Sequence, residues 1–479
     1  MTAVLVGVLG YIAVQFAIGA WVSRRIRTES DYINAGRRIG PVLGAFTVFA
    51  TWFGAEAVVG TAGQVYENGL AGAGADPFGY ALALVVAGVF FAATLWRRGL
   101  VTFADLFRQR FGPGVEKLVV IALLPGSVFW AAAQIRAFGQ VLSSVSDLDV
   151  ALAITFATTV VVAYTVLGGL MADAVTDLVQ GVAVIVGLVV LGVLAAGAGG
   201  GLAASLAAVP APRLALLDAP FLAMVERFAV PVCGTIVAVE LVSRMLGCRS
   251  AETARGATVA GGALYLAVGL IPVYLGLVGP QLVPGLTSET AEQLVPELAA
   301  RLLPGIAFVL FAGALISAIL STVDSVLLAS AAQISHNVLL RLAPATSEAA
   351  KVRSARLSVV ALAALASLLA ATAASIRELV EVASAAGSPG ILVALVFGLN
   401  TRLGGSVSAA AAIVAGSGVW AVGHFAGLTE TPYVTALGAA VIAYIAGAAW
   451  HRPQQSAGGG RRRPAAELAP SVNANGATQ

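Results

Sequence analysis

Gly44-Ala45-Phe46-Thr47-Val48-Phe49-Ala50-Thr51-Trp52-Phe53-Gly54-Ala55-Glu56 is an apolar run that is interrupted near its middle. The stretch is hydrophobic enough for a membrane helix, yet Thr51, Gly54 and the ionisable Glu56 fall at mid-span. A carboxylate at membrane depth costs at least ~2.5–3.5 kcal/mol, so it needs a partner or a cavity. Irregular backbone at that depth is tolerated only where protein or a cavity covers it. The run therefore predicts a discontinuous span buried among other helices.

The rest of the chain identifies lipid as the solvent. Of 479 residues, 59% are hydrophobic and 11% charged, with a mean hydropathy of +0.93. Soluble domains carry about 25% charged residues, and an outer-membrane barrel would alternate apolar and polar residues along each strand. An all-α polytopic membrane protein remains. At one span per ~20 apolar residues the length allows roughly a dozen spans. The apolar runs place thirteen, near 3–22, 40–62, 77–95, 117–143, 150–167, 174–197, 221–245, 258–279, 303–326, 357–375, 378–399, 406–426 and 432–450.

Charge placement orients them. With thirteen spans and the N-terminus outside, 22 of the 27 basic residues fall on the cytoplasmic side, Arg24, Arg25, Arg97, Arg98, Arg244, Arg353 and Arg461 to Arg463 among them. Arg213, Arg301 and Arg377 fall outside, and Arg136 and Arg227 lie in spans. That asymmetry follows the positive-inside rule and predicts a cytoplasmic C-terminus in the plasma (inner) membrane. The first apolar stretch has no basic segment before it and reads as a span rather than a cleaved signal. Cys233 and Cys248 suit neither a disulfide framework nor a metal site, and the three histidines are scattered.

The seventh span carries Pro231, Gly234 and Thr235 at a depth similar to Gly54. Proline removes an N–H from the helical ladder, so this span is expected to break there. Five helices separate the second and seventh spans, the offset of two five-helix inverted repeats, whose broken helices hold a ligand near the midplane. Close helix packing also accounts for such glycines. In the ninth span, Ser321, Thr322, Asp324 and Ser325 put four polar side chains within five residues. Hydroxyls and a carboxylate are hard oxygen ligands suited to an alkali cation. Hydrogen bonding between helices is the plainer use of the same residues. Asp173 and Asp177 open the sixth span after Gly168-Gly169. Asp173 fits a partner of the helix dipole; Asp177, one turn deeper, is the better cation ligand.

Together these segments resemble the sodium:solute symporter family, from about Asp31 to Thr401. The resemblance rests on Ala50-Thr51-Trp52, Gly60-Thr61-Ala62, Asp76-Pro77-Phe78-Gly79-Tyr80, Phe129-Trp130-Ala131-Ala132-Ala133, Tyr164 to Leu170, Thr176 to Gln180 and Ser321 to Ser325. Several of these look most like the choline branch. The resemblance implies a five-plus-five inverted-repeat (LeuT-like) core with one helix before it and two after, and sodium-driven symport by alternating access. It implies a central sodium site formed by the carbonyls of Ala50, Phe53 and Ala318 and the hydroxyls of Ser321 and Thr322. A second sodium site of some members maps onto Asp177, Ser321, Asp324 and Ser325.

For the substrate, the choline branch stacks a quaternary ammonium on aromatic rings, and three of those positions match Trp52, Tyr80 and Trp130. Sialic-acid members have an Arg at the Trp130 position, which argues against an anionic ligand here. Another cage Trp of the choline branch maps onto Ala238, and the family's usual Gln before the Arg is Ser243. Glu56 and Glu240 are candidate counter-charges for a cation. Each also has a structural reading, Glu56 paired with Arg136 and Glu240 with Arg244. Arg136 as a carboxylate ligand would instead favour an amino acid, betaine or monocarboxylate.

The chain thus divides into a first helix and loop (1–38), a transport core (39–400, with repeats at about 39–197 and 220–400), two C-terminal helices (401–452) and a disordered tail (453–479). The expected partners are a small-molecule substrate, sodium ions and the lipid bilayer, with no nucleic acid and no cofactor beyond Na+ as coupling ion. No nucleophile–base pair or phosphate-cradling loop points to an enzyme. A membrane sensor of the same fold would be expected to carry a signalling module, for which the tail is too short.

Overall fold

The computed structural model describes residues 3–144, 148–217, 219–288, 290–345, 347–373 and 376–456. Most of the expected tail, with Arg461 to Arg463, lies outside the described residues. The last helix runs on to Ser456, past the boundary expected at 452. Among the described residues there is no strand, only an isolated bridge between Ile39 and Cys248. The principal helices are α1 (Ala3–Ser23), α2 (Pro41–Trp52), α3 (Tyr80–Val86), α4 (Pro113–Ser144), α5 (Val150–Ala198), α6 (Phe221–Ile236) and α7 (Val239–Gly247). They continue with α8 (Ala251–Leu282), α9 (Gly305–Gln333), α10 (Glu348–Thr372), α11 (Ile376–Ala385), α12 (Ser388–Asn400), α13 (Ser406–Phe425) and α14 (Pro432–Ser456).

Nine helices among the described residues are long and apolar enough to cross a membrane, ten if α6 and α7 form one bent span. The protein is therefore a multi-pass membrane protein. Their polar ends are closed locally. Asp149 caps α5 by accepting from the Ala151 N–H, and Ser250 caps α8 by accepting from the Thr253 N–H. Pro41 occupies the first turn of α2, where its missing N–H costs no helical bond.

The second span breaks where the sequence predicts. α2 stops at Trp52, and Phe53 leaves helical geometry at φ −85°, ψ 62°. The Gly54 N–H, which would serve Ala50 in a continuous helix, turns back to the Trp52 carbonyl at 2.9 Å. Helix resumes at Glu56–Gly60 and continues through Thr61–Asn68. The seventh span also breaks, but not at its proline. α6 passes through Pro231 and Gly234 to Ile236, and the turn of 43° falls at Val237 and the extended Ala238 (φ −65°, ψ 128°). The two broken spans are tied at one end. The Ile39 N–H donates to the Gly247 carbonyl at 3.1 Å, and the Arg249 N–H to the Ile39 carbonyl at 3.0 Å.

α5 has 49 residues, about 74 Å at 1.5 Å per residue and more than twice the ≈ 30 Å hydrocarbon core. It folds at Gly169 (φ 58°, ψ −179°) into legs 150–168 and 170–198. A Cβ at Gly169 would stand 2.8 Å from the Tyr32 carbonyl oxygen, so only glycine fits. The fold brings Asp173 and Asp177, at the start of the second leg, into the interior, where both are fully buried.

Arg244 of α7, expected on the cytoplasmic side, is instead the largest fully buried side chain among the described residues. Its Nη2 donates to Asp173 Oδ2 and to Ser325 Oγ, and its Nε donates to Thr51 Oγ1 at 2.8 Å. Asp173 is thus an ion-pair partner rather than a bare helix-end charge, and Arg244 forms its ion pair with Asp173 rather than Glu240. One guanidinium fastens α7 to α2, α5 and α9. Removing one member of a buried pair strands the other charge and costs about 3–5 kcal/mol. Arg244→Met should lower the unfolding temperature of the purified protein sharply, and adding Asp173→Asn should restore much of the loss. Additive losses in the double variant would show that the two side chains do not form a unit.

Candidate functional site

The two breaks face each other across one cavity. Trp52, the last residue of α2, lines it, as does Ala238 at the bend between α6 and α7. Tyr80 at the start of α3 and Trp130 of α4 bring in the other two aromatic rings expected to surround a ligand. The Tyr80 and Trp130 rings meet edge to face at 6.5 Å and 80°, and Tyr80 meets Tyr265 at 6.5 Å and 77°. Such contacts fix the rings in place. The Tyr80 hydroxyl lies 3.4 Å from Ser384 Oγ, on the same wall. Ala238 leaves that side of the cavity without a large ring.

The acidic residue of the cavity lining is Glu240, in the first turn of α7. Glu56 is not among the lining residues. It begins the resumed second span and has Asp76 and Glu292 as charged neighbours. Arg136 is also outside the lining, and its Nη1 donates to the Ala370 carbonyl at 2.8 Å. The lining among the described residues contains no Lys, Arg or His.

A cluster of oxygen atoms lies on another side of the α2 break. Asp177 of α5 accepts hydrogen bonds from Thr47 Oγ1 of α2 and from Ser321 Oγ of α9. Thr322 Oγ1 donates to the Ala318 carbonyl at 3.2 Å. It also lies 2.9 Å from where a Cβ on Gly54 would stand, with Gln134 Oε1 at 3.2 Å from the same point. Gly54 therefore lets α9 and α4 approach the broken backbone. Ala50 and Phe53 are buried on one side of this junction, and Ala318, Ser321 and Thr322 on the other. Because the Gly54 N–H bonds to Trp52, the Ala50 carbonyl loses its ordinary helical donor.

Ser321 joins the two sets of expected ligands, since its hydroxyl bonds Asp177. Ser325 is engaged by Arg244 and Asp173. Asp324 is 2% exposed, and its Oδ1 is a buried atom without a hydrogen-bond partner. Its charged neighbours are Asp173, Asp177 and Arg244. Sequence reasoning missed Thr47 and the inward turn of Arg244. Thr47 stands one turn before Thr51 on α2, and the Thr51 hydroxyl donates to the Thr47 carbonyl at 2.6 Å. That spacing was the available signal.

This arrangement has known relatives. The profile described as "Sodium:solute symporter family" matches residues 32–416. The human high affinity choline transporter 1 is 29% identical over 356 residues, 70% of this chain and 61% of that protein. The Drosophila melanogaster high-affinity choline transporter 1 is 37% identical over 185 residues, 38% of this chain and 30% of the relative. The chain thus spans less than two thirds of the length of these relatives. The Escherichia coli sodium/pantothenate symporter is 25% identical over 357 residues, 71% of this chain and 73% of that one. Among solved structures, a substrate-bound, outward-open Na+-coupled sialic acid symporter superposes with a TM-score of 0.82 at 16% identity, covering 94% of this chain and 98% of the other. A nucleobase-cation-symport-1 family transporter in a closed conformation follows at 0.61 and 17%, covering 88% and 94%. These two likenesses show a shared fold. The family match takes in both broken spans, the folded α5 and the polar face of α9, and the chain belongs to the sodium:solute symporter family.

Proposed function

We propose that the protein is a secondary active transporter that couples sodium entry to uptake of a small organic cation, best matched by choline or another methylated amine, through alternating access. The observation that carries this reading is the cavity between the two breaks, walled by Trp52, Tyr80 and Trp130 and containing a carboxylate without a basic residue. A desolvated cation over such rings gains ~2 kcal/mol or more. The choline-transporter relatives support the same class of solute.

The proposed topology has thirteen spans with a five-plus-five repeat, the N-terminus outside and the C-terminus cytoplasmic. It is supported by the two legs of α5 as separate spans, α6 with α7 as one bent span, and the shorter apolar helices Ile12–Ser23 and Pro41–Trp52. The proposed central sodium site uses the carbonyls of Ala50, Phe53 and Ala318 with the hydroxyls of Ser321 and Thr322. The second uses Asp177, Asp324, Ser321 and Ser325. Three buried carboxylates, Asp173, Asp177 and Asp324, face one guanidinium, Arg244, so alkali cations would balance the cluster. The unpartnered Asp324 Oδ1 adds an oxygen ligand to this group.

Sodium coupling is tested by solute uptake into proteoliposomes. Ser321→Ala with Thr322→Ala removes two of about five proposed oxygen ligands and should raise the sodium requirement strongly. Equal uptake by the wild type in potassium, without a proton gradient, would refute the coupling.

A double-mutant cycle with Asp177→Asn and Asp324→Asn should show more than ~0.5 kcal/mol of coupling in sodium affinity. Strict additivity would assign the two carboxylates to separate tasks.

Trp130→Ala should weaken binding of a methylated ammonium by ~1–2 kcal/mol, and Trp130→Phe, which keeps a π face, by less. Equal binding of a neutral carbon isostere would show that shape rather than charge is read.

A further inference from the structure

We infer that Glu240 is the direct counter-ion of the solute, and that the cavity selects a protonated amine that retains an N–H over a fully methylated quaternary ammonium. This rests on the reading of the cavity as the solute site.

Four observations converge on Glu240. Arg244 stands one helical turn away on the same face of α7, the usual place for an intrahelical ion pair. Its guanidinium is instead directed to Asp173, Ser325 and Thr51. Glu240 lines the cavity, whose described lining has no cationic side chain; its charged neighbour Arg244 lies outside that lining and gives its hydrogen bonds elsewhere. The bend at Val237–Ala238 places Glu240 in the first turn of a new helix, in the same cavity lining as the small Ala238. The walls also carry the hydroxyls of Ser127, Thr235 and Ser384.

The chemistry then distinguishes two kinds of cation. A quaternary ammonium has no N–H, so it is held by aromatic faces and general electrostatic attraction. A carboxylate is an acceptor-only group, and its strongest partners are charged N–H donors. On the side of the bend this cavity has the small Ala238 rather than a ring, with Glu240 two residues along. This combination moves recognition away from π faces and toward a charge-assisted hydrogen bond. Trp52, Tyr80 and Trp130 would then hold the alkyl groups of the amine, with its N–H toward Glu240.

The test is calorimetric binding to the purified full-length protein in sodium. The ligands are choline, N,N-dimethylethanolamine, which is protonated at neutral pH, and 3,3-dimethyl-1-butanol as the neutral isostere. The wild type should bind the tertiary amine at least about tenfold more tightly than choline, and the alcohol least. Glu240→Gln should weaken the tertiary amine by about 10- to 100-fold and choline by less than about threefold. Ala238→Trp should shift preference back toward choline.

A wild type that binds choline as tightly as the tertiary amine overturns the inference without requiring any variant. So does equal loss of both cations in Glu240→Gln, or no loss in a variant whose unfolding temperature matches the wild type. In each case, sodium-dependent binding of either cation leaves the symport reading standing. If no cation binds the wild type in sodium, both readings fall together.

Discussion

A guanidinium with no access to water constrains the arrangement of everything around it. Arg244 must find acceptors within the protein, because stripping an ion of water costs several kcal/mol even after relaxation. Its acceptors come from three other helices: Thr51 from α2, Asp173 from α5 and Ser325 from α9. α7 is thereby anchored nearly two turns beyond the bend at Ala238. With the C-terminal end of α7 fixed, its first turn can close one wall of the cavity. Pairing Arg244 elsewhere also leaves Glu240 available to that wall.

The breadth of the fold is legible in the sequence because hydropathy is a local property. The nine long apolar helices among the described residues follow from runs that any window of ~20 residues detects. The break in the second span is legible for a similar reason, since Gly54 and Glu56 disturb an apolar run from within. The seventh span is different. Pro231 looks like a breaker, but neighbouring helices can supply the bonds a proline removes inside a membrane bundle. The actual bend at Val237–Ala238 has no compositional mark, and the helix beyond it is anchored through Arg244.

The site shows the same division. Trp52, Tyr80, Trp130 and Ala238, from four separate stretches of sequence, line one cavity. Glu56 had equal weight by sequence, as an acid at mid-span, yet it lies beyond the break and outside the wall. Asp173 and Arg244 are 71 residues apart. Counting charges along loops cannot separate an arginine at the end of a span from one folded inward beneath it. Only the third dimension distinguishes a positive-inside residue from a tethered internal cation.

The break at Phe53 gives the proposed coupling a physical form. Trp52 lines the cavity, while Gly54, two residues on, lies against Thr322 of α9, and Ala50 and Phe53 on either side of Trp52 are buried. In the proposed mechanism, solute and sodium thus contact the same few residues, one through side chains and the other through carbonyls. A sodium ion bridging those carbonyls to Ser321 and Thr322 would hold the break in one geometry, and that geometry sets where the Trp52 ring stands. Asp177 extends the linkage, since it is bonded to Thr47 on α2 and Ser321 on α9 at once. If α2 moves relative to α9, both ligand sets change together. Linkage of this kind is reciprocal: whatever sodium contributes to solute affinity, solute must contribute to sodium affinity. The shared backbone of residues 50–53 is where that free energy would be exchanged.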